Sequence, residues 1–266
     1  MRTICTALTA LIIALSAVSA ALGVEYDSEV EALRACMARH APARTAEVTL
    51  DIETQEASGN VRHLAATMYW RRDDDGHSQV LLRVEDPPAL RHTAILALER
   101  TDGEPELYAY LPELRSVRRM TGRALSGSLF GTDLRYEDVI QLYAMRRDAT
   151  LERLPDESLD GRAVHVLRAI PAPAVDLAYA RITSWIDAET CILRRTRFDD
   201  AAGRMVKDMT MPWSDVTPAG TLLVPHVVVI RDHVSGGETR LRTVRARYDE
   251  DLAVDLFSPI ALARGR

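Results

Sequence analysis

Glu47-Val48-Thr49-Leu50-Asp51-Ile52-Glu53 alternates without a break. Val48, Leu50 and Ile52 fall on one face and the polar residues on the other. A period of two is the signature of a strand half buried in an antiparallel sheet. The same rhythm spreads outward. After a Gly59-Asn60 turn, residues 61–71 put Leu64, Ala66, Met68 and Trp70 on one face. Asp73-Asp74-Asp75-Gly76 reads as a hairpin turn, and Val80, Leu82 and Val84 then alternate with Leu81, Arg83 and Glu85. Asp86-Pro87-Pro88 ends that strand, because proline has no N–H for a ladder. Further strands are expected at 93–99, 106–111, 116–120, 151–154, 163–169, 180–187, 192–198, 205–211, 222–231 and 239–248. Short strands at this spacing, parted by Gly and Asp turns, predict an antiparallel sheet, sandwich or barrel.

Two segments break the rhythm. Residues 28–40 repeat Val30, Leu33, Cys36 and Met37 at helical steps, with Ser28 and Glu31 placed as a capping box and Pro42 as the stop. Residues 133–143 read as a second, short helix with Asp133 at its N-cap. Glu137 and Asp138 lie in its first turns, where the helix dipole favours negative charge. Val139, Leu142 and Tyr143 form its apolar side, a lid for an open sheet. Arg118 and Arg119 are the natural partners of these carboxylates; a lipid headgroup or an acidic patch on a transporter is the other reading of Arg115, Arg118 and Arg119.

At the N-terminus, Arg2 precedes an apolar run over residues 3–15, then Ser16-Ala17-Val18-Ser19-Ala20. This reads as a secretory signal peptide over 1–20, cleaved after Ala20, so the mature chain is expected in the periplasm as one domain over 21–266. Loss of Arg2 takes the formal net charge from −6 to −7. With aromatics at 5% there is neither a basic field nor a stacking platform for nucleic acid. Charged residues at 27% against 47% apolar residues argue for a folded chain. Cys36 and Cys191 remain in the mature chain; an oxidising compartment permits their pairing, but two buried free thiols is the weightier reading.

The least generic stretch is 107–143. Tyr110-Leu111-Pro112 runs into Arg115-Ser116-Val117-Arg118-Arg119, and a small-residue loop ends in Gly131-Thr132-Asp133-Leu134-Arg135-Tyr136-Glu137-Asp138. This resembles the LolA-like outer-membrane lipoprotein-sorting family, in the branch associated with RND-type exporters. Leu134 stands where phenylalanine is common in that branch. Leu223-Val224-Pro225-His226 opening a late strand, and Phe257-Ser258 with Leu262 near the C-terminus, agree with the same family. The resemblance implies a mainly β fold: a curved antiparallel sheet, or incomplete β-barrel, with lid helices around a hydrophobic cavity. It implies a carrier of lipid or lipoprotein acyl chains, in transient contact with membranes and with an RND-type transporter, and no cofactor.

The expected apolar wall is Leu64, Met68, Trp70, Val80, Leu82, Val84, Leu96, Leu98, Tyr108 and Tyr110; each also suits a filled core. Arg115, Arg118, Arg119, Gly131, Thr132, Asp133, Tyr136, Glu137 and Asp138 are the candidate lid or partner contacts. Catalysis is not expected. There is no Gly-x-Ser-x-Gly elbow and no HExxH, and the seven histidines are scattered without ligand spacing. Carboxylates at helical spacing such as Asp133 and Glu137 more often cap or pair than act as acid and base. An envelope regulatory module that binds a protein partner is the alternative, with an enzyme on the same scaffold behind it.

Overall fold

The structure is a computed structural model, and residues 28–101, 105–142, 149–172 and 178–264 are described. The signal-peptide segment 1–20 and the expected helix end at Tyr143 lie outside them. The elements run α1 (Ser28–Ala38), β1 (Thr45–Gln55), β2 (Val61–Arg72), β3 (Ser78–Asp86), β4 (Ala94–Leu98), β5 (Glu106–Leu111) and β6 (Ser116–Met120). Then come α2 (Tyr136–Leu142), β7 (Thr150–Leu159), β8 (Arg162–Ile170), β9 (Arg181–Asp187), β10 (Leu193–Asp199) and β11 (Met205–Thr210). The chain continues with β12 (Val216–Ala219), β13 (Leu222–Pro225), β14 (Val227–Asp232), β15 (Gly237–Tyr248) and α3 (Pro259–Arg264).

Among the described residues, thirteen strands form one antiparallel sheet in the order β6-β5-β4-β3-β2-β1-β15-β14-β11-β10-β9-β8-β7. Hairpin connection explains most neighbours. There are two exceptions: β14 pairs with β11 across the intervening β12–β13 hairpin, and β15 returns to pair with β1, Ile52 opposite Leu241, and so joins the two meanders into one surface. The sheet curves but does not close, and β6 and β7 are its two margins.

Strand parity sorts the side chains. One face carries Val48, Leu64, Val80, Ile95, Leu107, Ile182, Phe198, Met209 and Ile230, all buried in the main core. This is the inner face. On the outer face, Leu81, Leu96 and Leu98 pack with Tyr69, Tyr108 and Tyr110 under Phe257 and Leu262 from the C-terminal segment. Ser258 sits between those anchors, and its Oγ accepts the Ala261 N–H at 3.1 Å, capping α3. Burial of Phe257 contributes about 1.5–3 kcal/mol to holding this strap down.

Parity also corrects the expected wall. Leu64, Met68, Trp70, Val80, Leu82 and Val84 do share the inner face. Leu96, Leu98, Tyr108 and Tyr110 belong to the outer one. Val80 lies opposite Ala97 and Leu82 opposite Ile95, so the inner residues of the next two strands are Ile95, Ala97, Leu107 and Ala109. All five residues of β4 are buried. A continuously apolar strand has no polar side to show which way it faces, and one residue of slip inverts it.

Two other expectations change. The single strand expected over 222–231 is two: β13 pairs with β12 in a separate hairpin, and β14 joins the main sheet. The break falls at Pro225-His226, where Pro225 cannot donate to a continuing ladder. Cys36 and Cys191, expected as free thiols, form a disulfide with Cα atoms 5.5 Å apart. It fastens α1 over Ile186, Leu167 and Leu193. Strand parity puts these on the inner face too, so α1 covers one end of it.

Candidate functional site

The segment that follows β6 turns back over the inner face and fills it. Leu129, Leu134, Val139 and Ile140 enter the main core directly, and Leu125, Phe130 and Tyr136 pack against it. We call residues 122–142 the plug. Apolar contact alone would hold it loosely, since such contact is non-directional. A set of buried polar groups fixes its position.

The centre of that set is Asp138. Its carboxylate accepts from Lys207 Nζ at 2.6 Å, from the Tyr179 hydroxyl at 2.8 Å and from the Arg135 backbone N–H at 2.7 Å. The last bond caps α2 from its third residue. Asp138 and Lys207 have no exposed side-chain surface. Lys207 rises from β11, so this ion pair ties the plug to the wall. Tyr179 lies between two cations, with Lys207 Nζ and Arg135 Cζ each 5.5 Å from its ring centre. Burial first, then the Asp138 charge, drives the Tyr179 phenol far above its ordinary range, so it stays a donor.

Glu137 is also fully buried. One oxygen accepts the Ala178 N–H at 3.3 Å, and the other lies 3.5 Å from Arg135 with no hydrogen bond. Burial is the largest influence on it and pushes its pKa up.

A second set holds the loop before α2. Arg62 donates to the Gly131 carbonyl at 2.6 Å. Asp133 accepts from the hydroxyls of Thr239 at 2.7 Å and Ser235 at 3.3 Å, while its own N–H donates to Thr239 Oγ1 at 3.0 Å. Gly237 makes room for this, because a Cβ there would overlap the Asp133 carboxylate. Gly131 has φ of 77°, and a Cβ would come 2.8 Å from the Arg62 guanidinium. Thr132 bonds within the loop, its hydroxyl donating to the Leu129 carbonyl at 2.7 Å. A pocket of ≈ 410 Å³ lies beside the loop, lined among others by Arg62, Asp133, Leu134, Arg135, Asp232 and Ser235.

Two sequence expectations fail here. Asp133 does not cap α2, since it lies three residues before the first helical residue and bonds to Thr239 of β15 and to Ser235 of the β14–β15 turn. Arg118 and Arg119 are not the partners of the plug carboxylates. Arg119 pairs with Glu106 at 3.3 Å, and Lys207, Arg135 and Tyr179 take the role. Sequence reasoning missed Lys207, although a signal was present: it is the only lysine in the chain, among 33 basic residues. A compact ammonium fits a closed pocket that a planar guanidinium would force open.

Comparison with known proteins bears on the family and the fold. A family model described as "-like: Uncharacterized protein" matches residues 76–264. The chain belongs to that family. No curated protein matches it. Among solved structures, an outer membrane lipoprotein-sorting protein domain from Vibrio parahaemolyticus is 22% identical with a TM-score of 0.78, over 88% of this chain and 98% of that one. A DUF1329 family protein from Desulfovibrio piger is 20% identical with a TM-score of 0.79, over 87% and 96%. A LolA superfamily protein from Nitrosomonas europaea is 17% identical with a TM-score of 0.68, over 86% and 96%. The fold is therefore LolA-like: a large, curved, unclosed antiparallel sheet with few helices. Among the described residues, no helix is long and apolar enough to cross a membrane.

Proposed function

We propose that this protein is a periplasmic carrier that binds lipid or lipoprotein acyl chains against the inner face of its sheet. It would move them toward the outer membrane in partnership with an RND-type exporter. The observation that supports this most is the manner in which the inner face is covered. A mainly apolar surface, with Lys207 and Thr239 set into it, is filled by a plug that pairs with no strand of the sheet among the described residues and is fastened by polar side chains. Leu50, Met68, Val228 and Leu241 remain only half buried across the central strands. An acyl chain gains about 0.8 kcal/mol for each methylene it buries there. As it displaces Leu129, Leu134, Val139 and Ile140, one set of apolar contacts replaces another. The balance is then close, and a partner with greater affinity for the chain or for the displaced plug sets the direction of transfer.

The two buried carboxylates of the plug, Asp138 and Glu137, do not suit acid–base chemistry, and Asp133 is taken up by the Thr239 and Ser235 hydroxyls. Asp138 is neutralised by Lys207 and Glu137 is closed off from solvent, so we read the protein as a carrier without catalytic residues. The disulfide agrees with an oxidising compartment. The test is to purify the exported protein without detergent, extract it with organic solvent and analyse the extract by mass spectrometry. A stoichiometric lipid is expected, on a chain beginning at Ala21. A clean extract, together with no binding of a fluorescent fatty acid, would remove this reading.

A further inference from the structure

The open margin of the sheet carries unmatched positive charge beside an apolar wall. β6 is the last strand on its side. Its register sets Ser116, Arg118 and Met120 opposite Leu111, Ala109 and Leu107, so all three point to the inner face. Met120 packs against the main core. Arg118 is exposed and has no acidic partner among the described residues. Beside it, the Ser116 hydroxyl is buried with no hydrogen-bond partner. A buried polar atom left alone is uncommon and calls for an acceptor. Arg115 before the strand and Arg123 after it are also exposed and unmatched among the described residues. The whole chain has a formal charge of −6, so this cluster runs against the net balance.

We propose that the β6 margin binds the phosphate of an anionic lipid headgroup while the acyl chain runs inward past Met120. The inference rests on the carrier reading and names the cargo class. Alternate residues on one strand face are roughly 7 Å apart, so a phosphate at Arg118 and Ser116 leaves its first methylenes beside Met120. Guanidinium and hydroxyl donors complement phosphate oxygens. An acidic protein docking from outside fits less well, because the outward arginine, Arg119, is already matched by Glu106.

The test compares phosphatidylglycerol, diacylglycerol with the same chains, and glycerol 3-phosphate, each binding to the full mature protein. Phosphatidylglycerol should bind more tightly than diacylglycerol. Arg118→Gln should weaken phosphatidylglycerol binding about five-fold and leave diacylglycerol unchanged. Arg119→Gln should change neither. Equal affinity for both lipids, unaltered by Arg118→Gln, overturns the headgroup site and leaves the carrier intact. Binding of glycerol 3-phosphate as tight as that of the lipid overturns it in favour of a soluble phosphate ligand. Failure of both lipids to bind overturns the carrier reading itself.

Discussion

Lys207 and Asp138 are two opposite charges taken fully out of water. Breaking such a pair from one side strands the other charge, which costs about 3–5 kcal/mol. Lys207→Met should therefore lower stability by that order in urea unfolding. Adding Asp138→Leu should restore much of it, because the stranded charge is removed. A double variant no better than the single would show that the pair does not act as a unit. Glu137 behaves differently. Burial raises its pKa, so the folded state binds its proton more readily than the unfolded chain does. The stability it contributes is complete below the unfolded carboxylate pKa and fades as pH rises through the folded value. Glu137→Gln has no proton to lose. It should gain on the wild type as pH rises from about 4 to 8. Parallel stability curves across that range would refute the idea.

Among the elements, α1 and the plug cover different parts of the same inner face and are fastened differently. The plug is held by reversible polar contacts, and α1 by a covalent bond across 155 residues. Cross-linking so long a loop restricts the unfolded chain, and its loss should cost about 2–5 kcal/mol. Replacing Cys36 and Cys191 together by serine should lower the thermal midpoint while leaving the 13-stranded sheet, followed by far-ultraviolet circular dichroism, in place. An unchanged midpoint would mean that Leu33 and Val30 dock α1 unaided. The short strands β12 and β13 stand apart from the main sheet, and we assign them no part in the carrier reading.

For the whole molecule, under the proposed carrier reading, the sheet is the fixed part and the plug the exchangeable one. Lipid binding should speed backbone hydrogen exchange across 128–142 while β1 and β15, paired on both sides, stay protected. Uniform slowing of exchange, plug included, would place the lipid elsewhere. Much of the fold is legible in the chain itself. The alternation through Val48, Leu50 and Ile52, the Asp-rich and Gly-rich turns, and the helical steps of 28–40 are local signals, set by backbone geometry and by which side chains tolerate water. The segment 131–138 could likewise be marked as special from its residues. Its partners could not. Lys207, Tyr179 and Thr239 lie 41 or more residues away from the plug groups they meet, and nothing in their own neighbourhoods points to Asp138 or Asp133. The facing of β4 and the pairing of Cys36 with Cys191 were hidden for the same reason. The sequence by itself determined the elements, because period and turn chemistry act over a few residues. Only the tertiary structure decided which face lies inside, which charges meet and what closes the open sheet, because these depend on register and curvature that the whole chain sets together.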